Sequence, residues 1–231
     1  MSNQPINFYE NKKVKKFLTK SHNPHYDEHK ISVPFRSALI GSSGSGKTNM
    51  FLNILKKMRG TFNKIFIYTQ AEEPLYDYLK SQIPDDMLTI SYDLDDCRQF
   101  DQSNYYGQTL IVFDDQCNQK DQRCIQELYI RGRKIAGGIS LLYLTQSYYK
   151  IPKLIRLQCQ YIFIIKVSGK RDLNMMLSEY SLGATKAQLQ NMYNAVCNSG
   201  LFGHALLIDL NAKQDKTFRK NFLEYLSPDS F

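Results

Sequence analysis

The eight residues Gly41-Ser42-Ser43-Gly44-Ser45-Gly46-Lys47-Thr48 match G-x-x-x-x-G-K-[ST] at every fixed position, and the pattern constrains fold as much as chemistry. The glycines let the backbone curl round a polyphosphate with its N–H groups inward, Lys47 reaches the β- and γ-phosphates, and Thr48 offers a hydroxyl to Mg²⁺. Such a loop works only between a strand and a helix. Residues 35–40 are a short, mostly apolar run entered through Pro34, which is tolerated at the first position of a strand. After Lys47, the residues Phe51, Ile54, Leu55 and Met58 recur at i, i+3, i+4 and i+7, the stripe of a helix with one buried face, and Gly60 stands where that helix would stop. A flexible glycine-serine linker would have neither flank. Residues 41–48 are therefore read as the phosphate-binding loop of a nucleotide site.

A second constraint is the run Thr109-Leu110-Ile111-Val112-Phe113-Asp114-Asp115. Apolar residues on both faces place a strand in the middle of a parallel sheet, with its C-terminal end open to a ligand crevice. Asp114 there is assigned to the Mg²⁺ that Thr48 also touches, and Asp115 to orienting or deprotonating an attacking water. Another apolar strand, 139–144, ends at Thr145-Gln146-Ser147. The Gln146 amide falls on the same sheet edge, where it can hydrogen-bond the γ-phosphate or the water.

The rest of the chain reads as alternating elements. Strands are expected at 64–68, at 88–92 as a short edge, at 161–165 and at 204–210, with an antiparallel partner at 216–222. Helices are expected from Pro74, with Glu72 and Glu73 at its positive end, over 121–130, from Pro152, over 171–180 and over 185–197. At 231 residues one α/β domain is expected, 32–231, preceded by a basic polar arm, 1–31, with the cluster Lys12-Lys13-Lys15-Lys16.

Charge is uneven along the chain. The formal total is +8, yet residues 81–121 carry two Lys/Arg against nine Asp/Glu, whereas residues 122–231 carry fifteen against seven. A basic C-terminal half suits a polyanion partner. No apolar run approaches 18 residues and the N-terminal Met-Ser-Asn-Gln-Pro has no apolar core, so neither a membrane span nor a secretory signal is expected. Five cysteines without a C-x-x-C pair argue against a disulfide framework and a zinc ribbon, and fit a reducing compartment. His22, His25 and His29 lie in a polar segment and are read as a solvated loop.

An extra strand between the phosphate-loop strand and the carboxylate strand, followed by a strand ending in Gln, resembles the additional-strand (RecA-like) branch of P-loop ATPases. Within it, residues 41–48, Leu110-Ile111-Val112-Phe113-Asp114-Asp115, and the block from Arg131-Gly132-Arg133-Lys134 through the Gln146 strand to Arg156 resemble the FtsK/HerA-type ATPases. Among these, the genome-packaging ATPases of large DNA viruses and virophages look most similar. The resemblance implies a three-layer P-loop NTPase fold, its mostly parallel central sheet extended by antiparallel strands at the C-terminal end. It also implies a homo-oligomeric ring that hydrolyses Mg-ATP to move double-stranded DNA into a capsid, with a capsid or portal-like partner, in the host cytoplasm at the assembly site or in the virion. Arg133 matches the family's arginine before the Gln strand, which acts on the γ-phosphate of the next subunit; Arg131 and Arg156 are alternatives. The chain departs from cellular relatives in carrying Asp115 where they usually carry Glu.

Lys150, Lys153, Lys170 and Arg171 are candidate DNA contacts. A GTPase-type switch would need N-K-x-D after a strand, which neither Asn63-Lys64-Ile65-Phe66 nor the segment from Asn211 to Asp215 supplies. A small-molecule or nucleoside kinase, with 131–134 as its basic lid, and a non-catalytic nucleotide-binding DNA or scaffold subunit are the alternative functions.

Overall fold

The computed structural model describes residues 6–15, 21–100, 107–135 and 138–231. The N-terminal pentapeptide, Lys16 and the end of the acidic stretch at Asp101 lie outside them. In chain order the elements are α1 (Lys12–Lys15), α2 (Tyr26–His29), β1 (Arg36–Ile40), α3 (Lys47–Lys57), β2 (Lys64–Tyr68), α4 (Pro74–Gln82), β3 (Leu88–Ser91), β4 (Thr109–Asp114) and α5 (Arg123–Arg131). They continue with β5 (Ile139–Thr145), α6 (Lys153–Gln158), β6 (Tyr161–Ile164), α7 (Lys170–Glu179), α8 (Lys186–Cys197), β7 (Leu206–Asp209), β8 (Phe218–Lys220) and β9 (Glu224–Leu226).

The strands form one sheet in the order β3-β2-β4-β5-β1-β6-β7-β8-β9. Pairing is parallel from β3 to β6 and antiparallel from β6 to β9. The expected fold class is therefore observed. Because side chains alternate along a strand, each central strand feeds two cores. Ile111, Phe113, Leu141 and Tyr143 face one side, under α5, α7 and α8. Leu110, Val112, Leu142 and Leu144 face the other, under α3 and α4. The stripe of α3 is buried as its spacing requires, with Phe51 and Ile54 at 0% and 1% exposure. Burying each such side chain contributes about 1.5–3 kcal/mol. Among the described residues no helix is long and apolar enough to cross a membrane.

Three departures from the sequence reading have physical causes. First, His29 is fully buried instead of solvated: its Nδ1 accepts from the Ile31 N–H at 3.0 Å and its carbonyl accepts from Arg219 at 3.1 Å. Residues just before β1 are thus packed, with the main chain of His22 also bonded to the Gln108 side chain. These are polar contacts between distant segments, which leave no periodicity to read. Second, Cys97 and Cys124 are joined by a disulfide, against the expectation from cysteine count; packing of the turn at Leu94–Gln99 on α5 brings together residues with no motif spacing. Third, the chain adds a further strand, β9, after β8, in a half-exposed segment too short to show alternation.

Candidate nucleotide site

The registers explain why the chemical residues meet. Ile40 of β1 pairs with Thr145 of β5, and Leu144 of β5 pairs with Asp114 of β4. The phosphate loop, Gln146 and Asp114 therefore leave three adjacent strands at one level of one sheet edge. Together they border a cavity of about 870 Å³ lined by Ser43, Gly44, Gly46, Lys47 and Thr48 on one side and by Asp114, Asp115 and Gln146 on the other.

The loop is held from behind. The Gly41 N–H donates to the Thr145 carbonyl at 3.1 Å and the Ser42 N–H to the Lys166 carbonyl at 3.0 Å, while Ser42 Oγ accepts from the Ser168 N–H at 2.8 Å. A side chain at Gly41 would meet Ser45 Oγ at 2.4 Å and Ile165 Cβ at 3.2 Å, so these neighbours would have to shift to admit one. The loop ends on Gly46, at φ +97°, where α3 begins. The first amides of a helix have no intrahelical partners and carry its positive end, a ready-made anion site. Lys47 Nζ donates across the loop to the carbonyl oxygens of Gly41 and Ser42, at 3.2 and 3.4 Å.

The two carboxylates differ. Asp114 Oδ2 accepts a 2.6 Å hydrogen bond from the Tyr76 hydroxyl. Burial pushes the Asp114 carboxyl up to about 6; Tyr76 and Lys47 oppose the shift, Asp115 and Glu73 add to it. Burial beside Asp114 also holds the Tyr76 phenol far above its ordinary value, so it stays a donor. Asp115 has φ +50°, a left-handed conformation that Asp tolerates better than most residues. Its Oδ2 accepts from Gln146 Nε2 at 2.9 Å, and its Oδ1 is buried with no partner among the described residues. A carboxylate lifted by burial, another with an orphaned oxygen, and a lysine bridging two loop carbonyls form a donor set that fits Mg²⁺ and a polyphosphate.

The structure thus gathers Lys47, Thr48, Asp114, Asp115 and Gln146, as the sequence led us to expect. It does not gather Arg133. That residue is exposed on the turn Gly132–Lys134 before β5, at the opposite sheet edge, where its charge is felt by Arg36 at the start of β1. Seven strand residues separate the two edges, about 20 Å. The basic segment 131–134 is therefore no lid over this cavity. Arg131 pairs with Glu127 at 3.1 Å, and Arg156 with Glu179 at 2.6 Å over the Tyr148 ring, so both alternatives are engaged within the chain. Lys150, read as a DNA contact, instead borders the cavity and donates to Asn118 Oδ1 at 2.8 Å.

Sequence reasoning missed Tyr76, whose spacing with Leu79 reads as an ordinary core stripe. It also missed Phe202, which borders the cavity from the loop before β7; the segment Gly200-Leu201-Phe202-Gly203, apolar residues between two glycines, was the available signal.

The family described as "Poxvirus A32 protein" matches residues 23–211. The DNA packaging protein OPG160 of variola virus is 25% identical over 182 residues, covering 73% of this chain; the chain spans 66% of that relative's length. Among solved structures, the genome packaging NTPase B204 of Sulfolobus turreted icosahedral virus 2, in complex with ATP-gammaS, superposes with a TM-score of 0.58 at 20% identity. The match covers 85% of this chain and 100% of that one. EssC (ATPases 2 and 3) from Geobacillus thermodenitrificans superposes at 0.53 with 13% identity, over 85% and 40%. At such identities the structural likeness is one of fold.

Proposed function

This chain belongs to the poxvirus A32 protein family, and on that premise we propose that it is an ATP-hydrolysing motor that moves double-stranded viral DNA into a capsid. The observation that carries the reading is the meeting of residues 41–48, Asp114, Asp115 and Gln146 at the aligned ends of β1, β4 and β5. The name of the variola relative supplies the DNA-packaging context.

In this reading Thr48 and Asp114 hold Mg²⁺, which when bound neutralises charge on the phosphate oxygens. Lys47 swings its amine from the Gly41 and Ser42 carbonyls to the β- and γ-phosphates. Asp115, fixed in its rotamer by the Gln146 amide, directs its buried oxygen at the attacking water and accepts its proton. Asp is shorter than Glu by one methylene, and the left-handed backbone at Asp115 is the local device that re-aims it. Gln146 touches both Asp115 and the cavity, so the presence of the γ-phosphate changes its hydrogen bonding.

An arginine about 20 Å from its own cavity, like Arg133, acts on hydrolysis only in a neighbouring copy, so that assignment requires a second copy of the chain, and a homo-oligomeric ring is the arrangement proposed for it. A capsid or portal-like partner and a viral assembly site belong to the same reading. Exposed Lys153, Lys170 and Arg171, the last stacked at 4.2 Å over the half-exposed Tyr149 ring, are its DNA contacts. The test is ATP turnover measured against protein concentration, with and without duplex DNA at low salt. Turnover should rise with both. Turnover per subunit indifferent to both would remove the motor from the reading.

A further inference from the structure

The hydrolytic machinery uses nothing from the loop between α8 and β7, yet that loop sits on the phosphate loop. Leu201 and Phe202 are 58% and 69% exposed. Exposed apolar residues are common singly on any surface; what separates Phe202 from the rest is its place. Its ring atoms Cζ and Cε1 lie so near Gly46 that a Cβ there would meet them at 3.0 and 3.1 Å, and the ring borders the cavity shared with Lys47, Thr48 and Asn49. Gly203, at φ +72°, brings the backbone against Asn49, where a Cβ would fall 2.9 Å from Nδ2. The loop is therefore seated on the first turn of α3.

Strand order gives this contact a direction. Asp114 lies two strands from β1 on one side, through β5, while β7 lies two strands away on the other, through β6. A triphosphate whose γ-phosphate lies toward Asp114 and Asp115 runs back along residues 43–48, so its ribose and base project to the β7 side. The group waiting there is an aromatic face in water.

We propose that Phe202 forms one wall of the base subsite, stacking on the purine of the bound nucleoside triphosphate while Gly46 and Gly203 allow the ring to approach the phosphate loop. The inference rests on the nucleotide reading above. It assigns Phe202 to binding and not to the chemical step. Because stacking accepts any π face, Phe202 raises affinity for purine nucleotides without choosing between adenine and guanine.

The chain contains no Trp, so Phe202→Trp creates a single reporter on an exposed loop. Its emission should be quenched by ATP and by GTP, and left unchanged by inorganic tripolyphosphate, which offers phosphates without a base. In parallel, titration calorimetry of Phe202→Ala should show ATP affinity reduced about 5- to 150-fold, with tripolyphosphate affinity retained as proof that the phosphate loop is folded. Equal ATP affinity in native protein and Phe202→Ala, or an equal loss for ATP and tripolyphosphate, would overturn the assignment. If the native chain bound neither ligand, the nucleotide site itself would be refuted and this inference with it.

Discussion

Asp114 and Asp209 each close a buried strand, at opposite edges of the sheet, and are satisfied in opposite ways. Asp209, at the end of antiparallel β7, accepts from Arg219 Nη2 at 2.7 Å and from the Asn211 N–H at 3.0 Å. Arg219 is 1% exposed and also donates to the carbonyls of His29 and Phe222, at 3.1 and 3.0 Å. That edge supplies its own counter-charge. Asp114 has the neutral Tyr76 hydroxyl, and the cation beside it is turned to loop carbonyls. Burial pushes both carboxyls up; at Asp209 the Arg219 guanidinium is the leading opposing force, whereas at Asp114 a neutral hydroxyl leads it and the Lys47 charge is a smaller pull. One carboxylate is finished by the fold. The other is left with a neutral hydroxyl.

The largest expected effect would break this division, because Arg133 lies at the self-sufficient edge yet is assigned to hydrolysis in a neighbouring subunit. Arg133→Ala should lower ATP turnover by about 10³- to 10⁵-fold. Mixing Arg133→Ala subunits with Lys47→Ala subunits should recover part of it at mixed interfaces. Absence of recovery in a steady-state assay would return Arg133 to a local structural role.

Next in size is the ion pair itself. Arg219→Met leaves Asp209 buried without its partner and should destabilise the chain by about 3–5 kcal/mol in urea unfolding. Asp114→Asn, which removes a charge that lacks one, should leave stability equal or raised while abolishing Mg²⁺-dependent hydrolysis. Comparable destabilisation by the two variants would erase the contrast.

A pH effect sharpens the same edge. Burial holds the His29 imidazole down at about 4, the nearby Glu28 opposing and Arg219, His25 and Lys30 reinforcing it. Its Nδ1 is an acceptor, so protonation would destroy the bond from the Ile31 N–H. The folded-state value lies below the unfolded one, hence stability present above about 6.5 is lost as pH falls toward 4, by about 3 kcal/mol at most. The loss should be read as the difference between native protein and His29→Gln in unfolding midpoints across that range.

The smallest effect probes the other carboxylate. Tyr76→Phe removes the hydroxyl that donates to Asp114 and should reduce stability by about 1–2 kcal/mol at pH 8. The reduction should shrink at pH 5, below the Asp114 value of about 6, where the carboxyl is protonated. An equal reduction at both values would mean that the hydroxyl serves packing alone.

Much of the site was legible because its residues stand next to strand ends. Apolar runs locate β1, β4 and β5, and whatever follows such a run on a parallel strand must emerge at one edge. The sequence alone therefore places Lys47, Asp114 and Gln146 together. Tyr76 was not legible: its ring joins the core under the sheet while its hydroxyl reaches Asp114, and spacing reports only the ring. The disulfide between Cys97 and Cys124, and the burial of His29 under Arg219, bring together residues 27 and 190 positions apart, and no local pattern carries such pairings.

What the sequence determined by itself was the strand-loop-helix unit at 35–58, the two buried strands that end in Asp114 and Gln146, and hence the phosphate-binding character of one sheet edge. These follow from local geometry, since hydrophobic period and glycine placement act over a few residues. Tertiary structure alone decided which carboxylate would be given a cation, that Asp115 turns through a left-handed backbone toward Gln146, and that Phe202 comes to rest on Gly46. Those outcomes depend on strand order and on the approach of distant loops, and a linear pattern of side chains does not encode which loops will meet.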